Sequence, residues 1–143
     1  MKLVIDTNIL ISALIKRSAT REILLFPTLE FLLPEYALEE INAHKGTISR
    51  HSGLNPDEID VVLSIILENV TIIPASEIKP YLEKAQTIIG NIDPDDVPFI
   101  ALALFINNDG IWSNDRHFEN IKNFKVWKTS DLFDFLKNKP TIP

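Results

Sequence analysis

Met1-Lys2-Leu3-Val4-Ile5-Asp6-Thr7-Asn8-Ile9-Leu10-Ile11 opens the chain and decides how the rest is read. Leu3-Val4-Ile5 is a short apolar run, rich in β-branched residues and bounded by polar ones, the pattern of a buried strand. The run stops at an acid, and Ile9, Leu10, Ala13 and Leu14 then recur at helical spacing. Asp6, Thr7 and Asn8 therefore stand at a strand-to-helix turn, the end of a strand where open α/β sheets bind ligands. A carboxylate there is either a helix cap, a role that Asp and Asn favour, or the first member of a polar site. The choice depends on whether further acids fall at equivalent places, and they do.

Working outward, Lys16-Arg17-Ser18-Ala19-Thr20 reads as a basic polar loop and Arg21 to Phe26 as a short helix ended by Pro27. Glu30 to Leu33 is a second strand, Glu35 to Lys45 a helix with Gly46 as its stop, and Thr47 to Gly53 a polar stretch with Arg50 and His51. Asn55-Pro56-Asp57-Glu58 signals a helix start; that helix runs to about Asn69, and Val70 to Ile73 is a third strand. Ser76 to Ile89 is a helix that Pro80 kinks or delays. Asp93-Pro94-Asp95-Asp96 leads into the apolar helix Val97 to Ile106. Ile111-Trp112-Ser113 is a fourth strand, a short helix begins in Asn114-Asp115-Arg116-His117-Phe118, and Phe124 to Trp127 is a fifth strand. Thr129 to Leu136 is the closing helix, with Thr129 or Ser130 as its cap.

Five short strands separated by helical segments predict an α/β fold, a parallel sheet with helices on both faces and right-handed crossovers. The expected organisation is one domain over residues 1–137, followed by a patternless, mobile tail over 138–143. The chain has 143 residues, 45% hydrophobic and 24% charged, enough for a core without staples. It has no cysteine, which excludes a disulfide framework and a thiolate metal site. No apolar run approaches the ~20 residues that span a bilayer, so a cytoplasmic location is expected. The net charge of −6 argues against a non-specific nucleic-acid coat. It is compatible with a carboxylate cluster that holds cations.

That cluster has four parts. Asp6 ends strand one and Asp115 follows strand four, so the two converge if those strands are neighbours. Asp96 precedes a helix that is apolar on nearly every side and so must lie deep, and buried acids are expensive unless paired or metal-bound. Asp93, at the same segment, serves as cap or as a second contributor. Glu40 lies at the border of the face set by Ala37, Leu38 and Ile41, whereas Glu39 points away from it. Hard cations such as Mg²⁺ and Mn²⁺ prefer such oxygen donors. Two of them roughly 3.5–4 Å apart can ready a water and steady the leaving oxygen in phosphodiester hydrolysis. Thr7, Asn8, Ser113 and Asn114 are candidates to orient the carboxylates. Lys16, Arg17, Lys45, Arg50, Arg116 and His117 are candidates to guide a phosphate backbone. His44, His51 and His117 have no zinc spacing and read as surface residues, and Trp112 and Trp127 read as core.

Val4-Ile5-Asp6-Thr7-Asn8-Ile9-Leu10, Glu40-Ile41, Asp96 ahead of Ile100-Ala101-Leu102-Ala103, and Trp112-Ser113-Asn114-Asp115 resemble, in this order, the PIN domain family of small metal-dependent ribonucleases. That family includes toxins of prokaryotic toxin–antitoxin pairs of the VapC type. The resemblance implies a three-layer α/β/α sandwich with about five parallel strands, Mg²⁺ or Mn²⁺ as cofactor and single-stranded RNA as substrate. It also implies Asp6, Glu40, Asp96 and Asp115 as the acidic quartet and an antitoxin as a possible partner. Separately, a homodimer is the expected assembly because it is the commonest one for soluble proteins, with the apolar helix Val97 to Ile106 as a candidate interface. The long segment from Thr47 to Gly90 departs from the family pattern. Two alternatives stay open: a non-catalytic RNA- or protein-binding module on the same fold, and an aspartate-based phosphotransfer domain. For a phosphatase of the latter kind Asn8 stands where a second aspartate belongs.

Overall fold

A computed structural model describes residues 1–138 of the protein. In chain order the elements are β1 (Lys2–Ile5), α1 (Thr7–Ile15), α2 (Ala19–Leu24), β2 (Glu30–Pro34), α3 (Tyr36–Ala43), α4 (Lys45–Ser52) and α5 (Pro56–Ile66). Then follow β3 (Val70–Ile73), α6 (Ala75–Ile78), α7 (Leu82–Ile89), α8 (Val97–Phe105), β4 (Ile111–Trp112), β5 (Val126–Trp127) and α9 (Thr129–Lys137). The expected tail lies outside the described residues from residue 139 onward.

Leu3, Val4 and Ile5 are wholly buried, as an apolar strand covered on both faces must be. The five strands form one parallel sheet in the order β3-β2-β1-β4-β5. The chain winds outward from β1 to β3, then crosses back to lay β4 and β5 along the other side of β1. Helices cover both faces, giving the expected α/β/α sandwich. On one face α8 lies against β1 and β2, with α6 and α7 packed outside it. On the other, α1 gathers α2, α3, α4 and α5, and α9 packs on α2. One hydrophobic cluster runs from Leu3 to Leu132 and includes Trp112 and Trp127.

The reversal of strand order between β1 and β4 opens a crevice at their carboxyl ends, the general ligand site of such sheets. Ile5 pairs with Trp112, so the next residues, Asp6 and Ser113, leave the sheet side by side. Gly110 makes this entry to β4 possible: its φ is +132°, and a Cβ there would meet the Lys125 carbonyl oxygen at 2.5 Å.

Several expected boundaries move. Gly46 does not stop a helix; it lies inside α4, and the polar stretch expected over Thr47 to Gly53 is helical as far as Ser52. Only Ile48 of α4 is buried, so its sequence carries no apolar periodicity to read. The chain breaks earlier, at His44, and α4 ends on Gly53, whose φ of +77° is the left-handed cap that glycine tolerates. Similarly, α2 begins at Ala19, within the expected basic loop. Pro80 acts as anticipated, because a 3₁₀ turn over Lys79–Tyr81 separates α6 from α7. Neither Thr129 nor Ser130 caps α9. The Thr129 N–H instead donates to Asn114 Oδ1 at 2.9 Å, and the Lys128 N–H to Asp131 Oδ2 at 3.0 Å. Among the described residues no helix is long and apolar enough to cross a membrane.

Candidate functional site

Asp6 is both the cap and the polar-site residue. Its Oδ1 accepts from the Ile9 N–H at 3.0 Å, fixing the start of α1, and its Oδ2 accepts from the hydroxyl of Ser113, the residue that follows β4. Ser113, 1% exposed, also accepts from the Asp115 N–H at 3.0 Å, so one hydroxyl ties the ends of β1 and β4 together. Thr7, one residue on, donates to Glu40 Oε1 at 2.5 Å and holds α3 against α1. Glu40 is half-buried and Glu39 exposed, as the helical phase of α3 requires.

The third acidic segment divides its labour. Asp93 Oδ1 accepts from the Asp95 N–H at 2.9 Å and caps the 3₁₀ turn before α8. Asp96 makes no capping bond, although it is only 9% exposed. Asp95 is exposed and receives the Tyr36 hydroxyl at 3.2 Å. Asp6, Thr7, Asn8, Glu40, Asp95 and Asp96 line one small cleft of about 40 Å³, floored by Phe99. A second cleft beyond Asn8 is lined by Ile9, Asn114 and Asp115.

His117 joins the remaining acids. Its Nδ1 lies 3.0 Å from Asp96 Oδ2, 3.3 Å from Asp93 Oδ2 and 3.4 Å from Asp115 Oδ1, while its own N–H donates to Asp115 Oδ1 at 3.0 Å. The sequence pattern gives no reason to move His117 from the surface, because Asp93 and Asp96 lie more than twenty residues away on the far side of α8. The adjoining Asp115 is the only signal. Tyr36 is the other residue that sequence spacing does not single out.

The electrostatics follow from crowding acids where water is scarce. Burial raises the pKa of Asp6, partly offset by the Ser113 and Ile9 hydrogen bonds, and the Asp115 charge raises it further. Burial also raises Glu40, against the stabilising Thr7 hydroxyl, with Asp95 and Asp6 adding repulsion. Asp96 is pushed up to about 7, first by burial and then by Asp93. The Tyr36 hydroxyl rises to about 12 through burial and the charges of Glu40 and Asp95, so it stays a neutral donor. His117 is raised chiefly by its hydrogen bond to Asp96. Among the described residues no Lys or Arg forms an ion pair with Asp6, Glu40, Asp96 or Asp115.

This donor set fits a divalent cation. Asp6, Glu40 and Asp96 line one cleft and Asp115 the next, and the basic side chain within ion-pair reach of Asp96 and Asp115 among the described residues is His117, so the crowded acids are expensive to hold ionised unless a cation compensates them. Among the described residues the one group of three or more such side chains whose donor atoms lie within 4.8 Å of one another is Asp93, Asp96 and His117; the expected quartet of Asp6, Glu40, Asp96 and Asp115 is not gathered that closely.

The remaining expected residues fall elsewhere. Asn114 is bonded to Thr129 through both amide atoms, each at 2.9 Å, and so ties the β4 exit to α9. Lys16 and Arg17 do not flank the acids: they follow the C-terminal end of α1, about 13 Å along a nine-residue helix from Asp6. Lys45 pairs with Asp60 at 2.6 Å, and the Arg50 Nη2 donates to Thr47 at 3.3 Å within α4. Arg116 is exposed beside Asp115, and His44 and His51 are exposed as expected.

Comparison with known proteins agrees with this architecture. A family model for the PIN domain matches residues 4–133. A chain of VapBC2 from Rickettsia felis, solved bound to a DNA fragment from their promoter, superposes with a TM-score of 0.69 at 18% identity, covering 90% of this chain and 98% of that one. A chain of a toxin–antitoxin complex from Klebsiella pneumoniae gives a TM-score of 0.64 at 16% identity, covering 89% of this chain and 97% of that one. No curated protein matches in sequence.

Proposed function

The chain belongs to the PIN domain family, and on that premise we propose that it is a Mg²⁺- or Mn²⁺-dependent endoribonuclease that hydrolyses single-stranded RNA. The observation that carries this reading is the cleft itself: Asp6, Glu40 and Asp96 line one opening, Asp115 adjoins it, and no Lys or Arg among the described residues neutralises them.

Asp6, Glu40, Asp96 and Asp115 are the residues that would hold the ion, with Asp93 alongside. A bound divalent ion supplies the charge that polarises the scissile phosphate and readies a water for in-line attack. The protein's own contribution is to fix the oxygens beforehand. Asp6 is held from two sides by Ile9 and Ser113, Glu40 is held by Thr7, and Asp115 has its N–H on Ser113 and an oxygen on the His117 N–H. Such preorganisation lets the site meet developing charge without rearranging. Arg116 is the exposed cation best placed to meet a neighbouring phosphate.

The Klebsiella structure is a toxin–antitoxin complex, and we extend that pairing to this chain as a toxin with an antitoxin partner. An apolar groove of about 560 Å³, lined by Leu25 just after α2, by Val62, Ile65 and Ile66 of α5, and by Arg17 and Arg21, supports a protein partner. Phosphotransfer is disfavoured because Asn8 stands where a phosphatase of this kind needs a second aspartate and no lysine pairs with Asp6 among the described residues.

The test is cleavage of a single-stranded RNA by wild type and Glu40→Gln, with Mn²⁺ and with EDTA. Metal-dependent cutting that Glu40→Gln loses supports the reading. RNA binding without cleavage under every condition would point to the non-catalytic module instead.

A further inference from the structure

The rim of the cleft mixes donor types. Asp93 and Asp96 stand three residues apart across a 3₁₀ turn, a spacing that puts both side chains on one side of it. Each turns its Oδ2 toward His117 Nδ1, at 3.3 and 3.0 Å. Asp93 spends its other oxygen on the Asp95 N–H, so Oδ2 is the atom it has to offer. Bonds of about 2.1 Å to a divalent ion imply neighbouring donors about 3.0 Å apart in an octahedron and about 3.4 Å in a tetrahedron. The 3.0 Å separation equals the octahedral edge and the 3.3 Å one falls between the two; the same contacts serve as a hydrogen bond and an ion pair when no ion is bound. Imidazole nitrogen favours first-row transition ions, whereas carboxylate oxygen accepts Mg²⁺ equally well.

We infer that His117, Asp93 and Asp96 form a nitrogen-containing cation subsite beside the all-oxygen cleft of Asp6 and Glu40, sharing Asp96 with it. This subsite gives the protein a preference for a transition ion such as Mn²⁺ over Mg²⁺. The inference rests on the metal-dependent reading above and adds to it a sixth residue and a choice of metal. His117 is open enough to exchange ions with solvent, its side chain being 39% exposed. Its replacement therefore leaves the core intact.

The experiment loads the purified protein with Mn²⁺ and records pulsed electron paramagnetic resonance for nitrogen coupling. Calorimetry then measures Mn²⁺ and Mg²⁺ affinity for wild type, His117→Gln and Asp93→Asn. The expected result is a ¹⁴N coupling in wild type that His117→Gln abolishes. In His117→Gln the preference for Mn²⁺ over Mg²⁺ should fall by about tenfold or more, the loss that follows even from removing an outer-shell partner, whereas Asp93→Asn should weaken both ions. Bound Mn²⁺ without nitrogen coupling in wild type, or an unchanged preference in His117→Gln, overturns the subsite. If that protein still cleaves RNA with Mn²⁺, the nuclease reading survives alone. A wild type that binds no Mn²⁺ overturns both.

Discussion

Replacing Asp96 by Asn should stabilise the cation-free protein at alkaline pH. Asp96 is 9% exposed, and its pKa stands at about 7 against an ordinary 3.8. A carboxyl with a raised folded-state pKa is ionised at a cost to the fold. That cost is full above the folded value and fades as pH falls toward the unfolded one. At about 1.4 kcal/mol per pH unit the ceiling is about 4 kcal/mol, and water at the cleft mouth screens it to about 2. Between pH 8 and pH 5.5 roughly half of that is switched, about 1 kcal/mol, or about 3 °C in Tm for a chain of this length. Asn cannot ionise, yet its amide oxygen can still face His117. Thermal unfolding followed by circular dichroism in EDTA should therefore show the Tm of Asp96→Asn rising relative to wild type from pH 5.5 to pH 8. The raised pKa of His117 acts in the same direction in wild type, because its contribution is also lost as pH climbs. Excess Mn²⁺ should reverse the ranking at pH 8, since only the ionised carboxylate binds and stabilises through the ligand. A variant no more favoured at pH 8 than at pH 5.5 would refute the claim that this acid is held at the expense of the fold.

Other perturbations separate site from scaffold. Ser113→Ala removes the hydroxyl shared by Asp6 and the Asp115 N–H, and should cost about 1–3 kcal/mol in urea denaturation while weakening Mn²⁺ binding by calorimetry. Asn114→Ala should cost about 1 kcal/mol through its lost bonds to Thr129 but leave Mn²⁺ affinity unchanged; weaker metal binding would return Asn114 to the site. Gly53→Ala should lower stability by about 1 kcal/mol because of the positive φ, with a normal helix signal, and no loss would undo the assigned end of α4.

What the sequence discloses depends on where the information lies. The β1–Asp6–α1 passage is legible because strand, acid and helix follow within a dozen residues and each leaves a local pattern. The deep placement of α8 is equally legible, since Val97 and Phe99 to Ala103 are too apolar to face water. By contrast α4 is a helix of polar residues that buries only Ile48, so no periodicity betrays it. Lys16 and Arg17 are near Asp6 in sequence but not in space, because α1 carries them to its opposite end. His117 meets Asp93 and Asp96 only because β4 returns beside β1, a long-range pairing that residue spacing does not encode.

The most direct test of the central claim is a Mn²⁺ titration of wild type and Asp6→Asn, with cleavage of one single-stranded RNA and thermal unfolding measured on the same samples. An asparagine at this position keeps an oxygen for the Ile9 cap but loses the charge. The account therefore predicts a Tm within about 2 °C of wild type and cleavage slower by about a hundredfold or more. An Asp6→Asn protein that binds Mn²⁺ and cuts RNA as wild type does would contradict it.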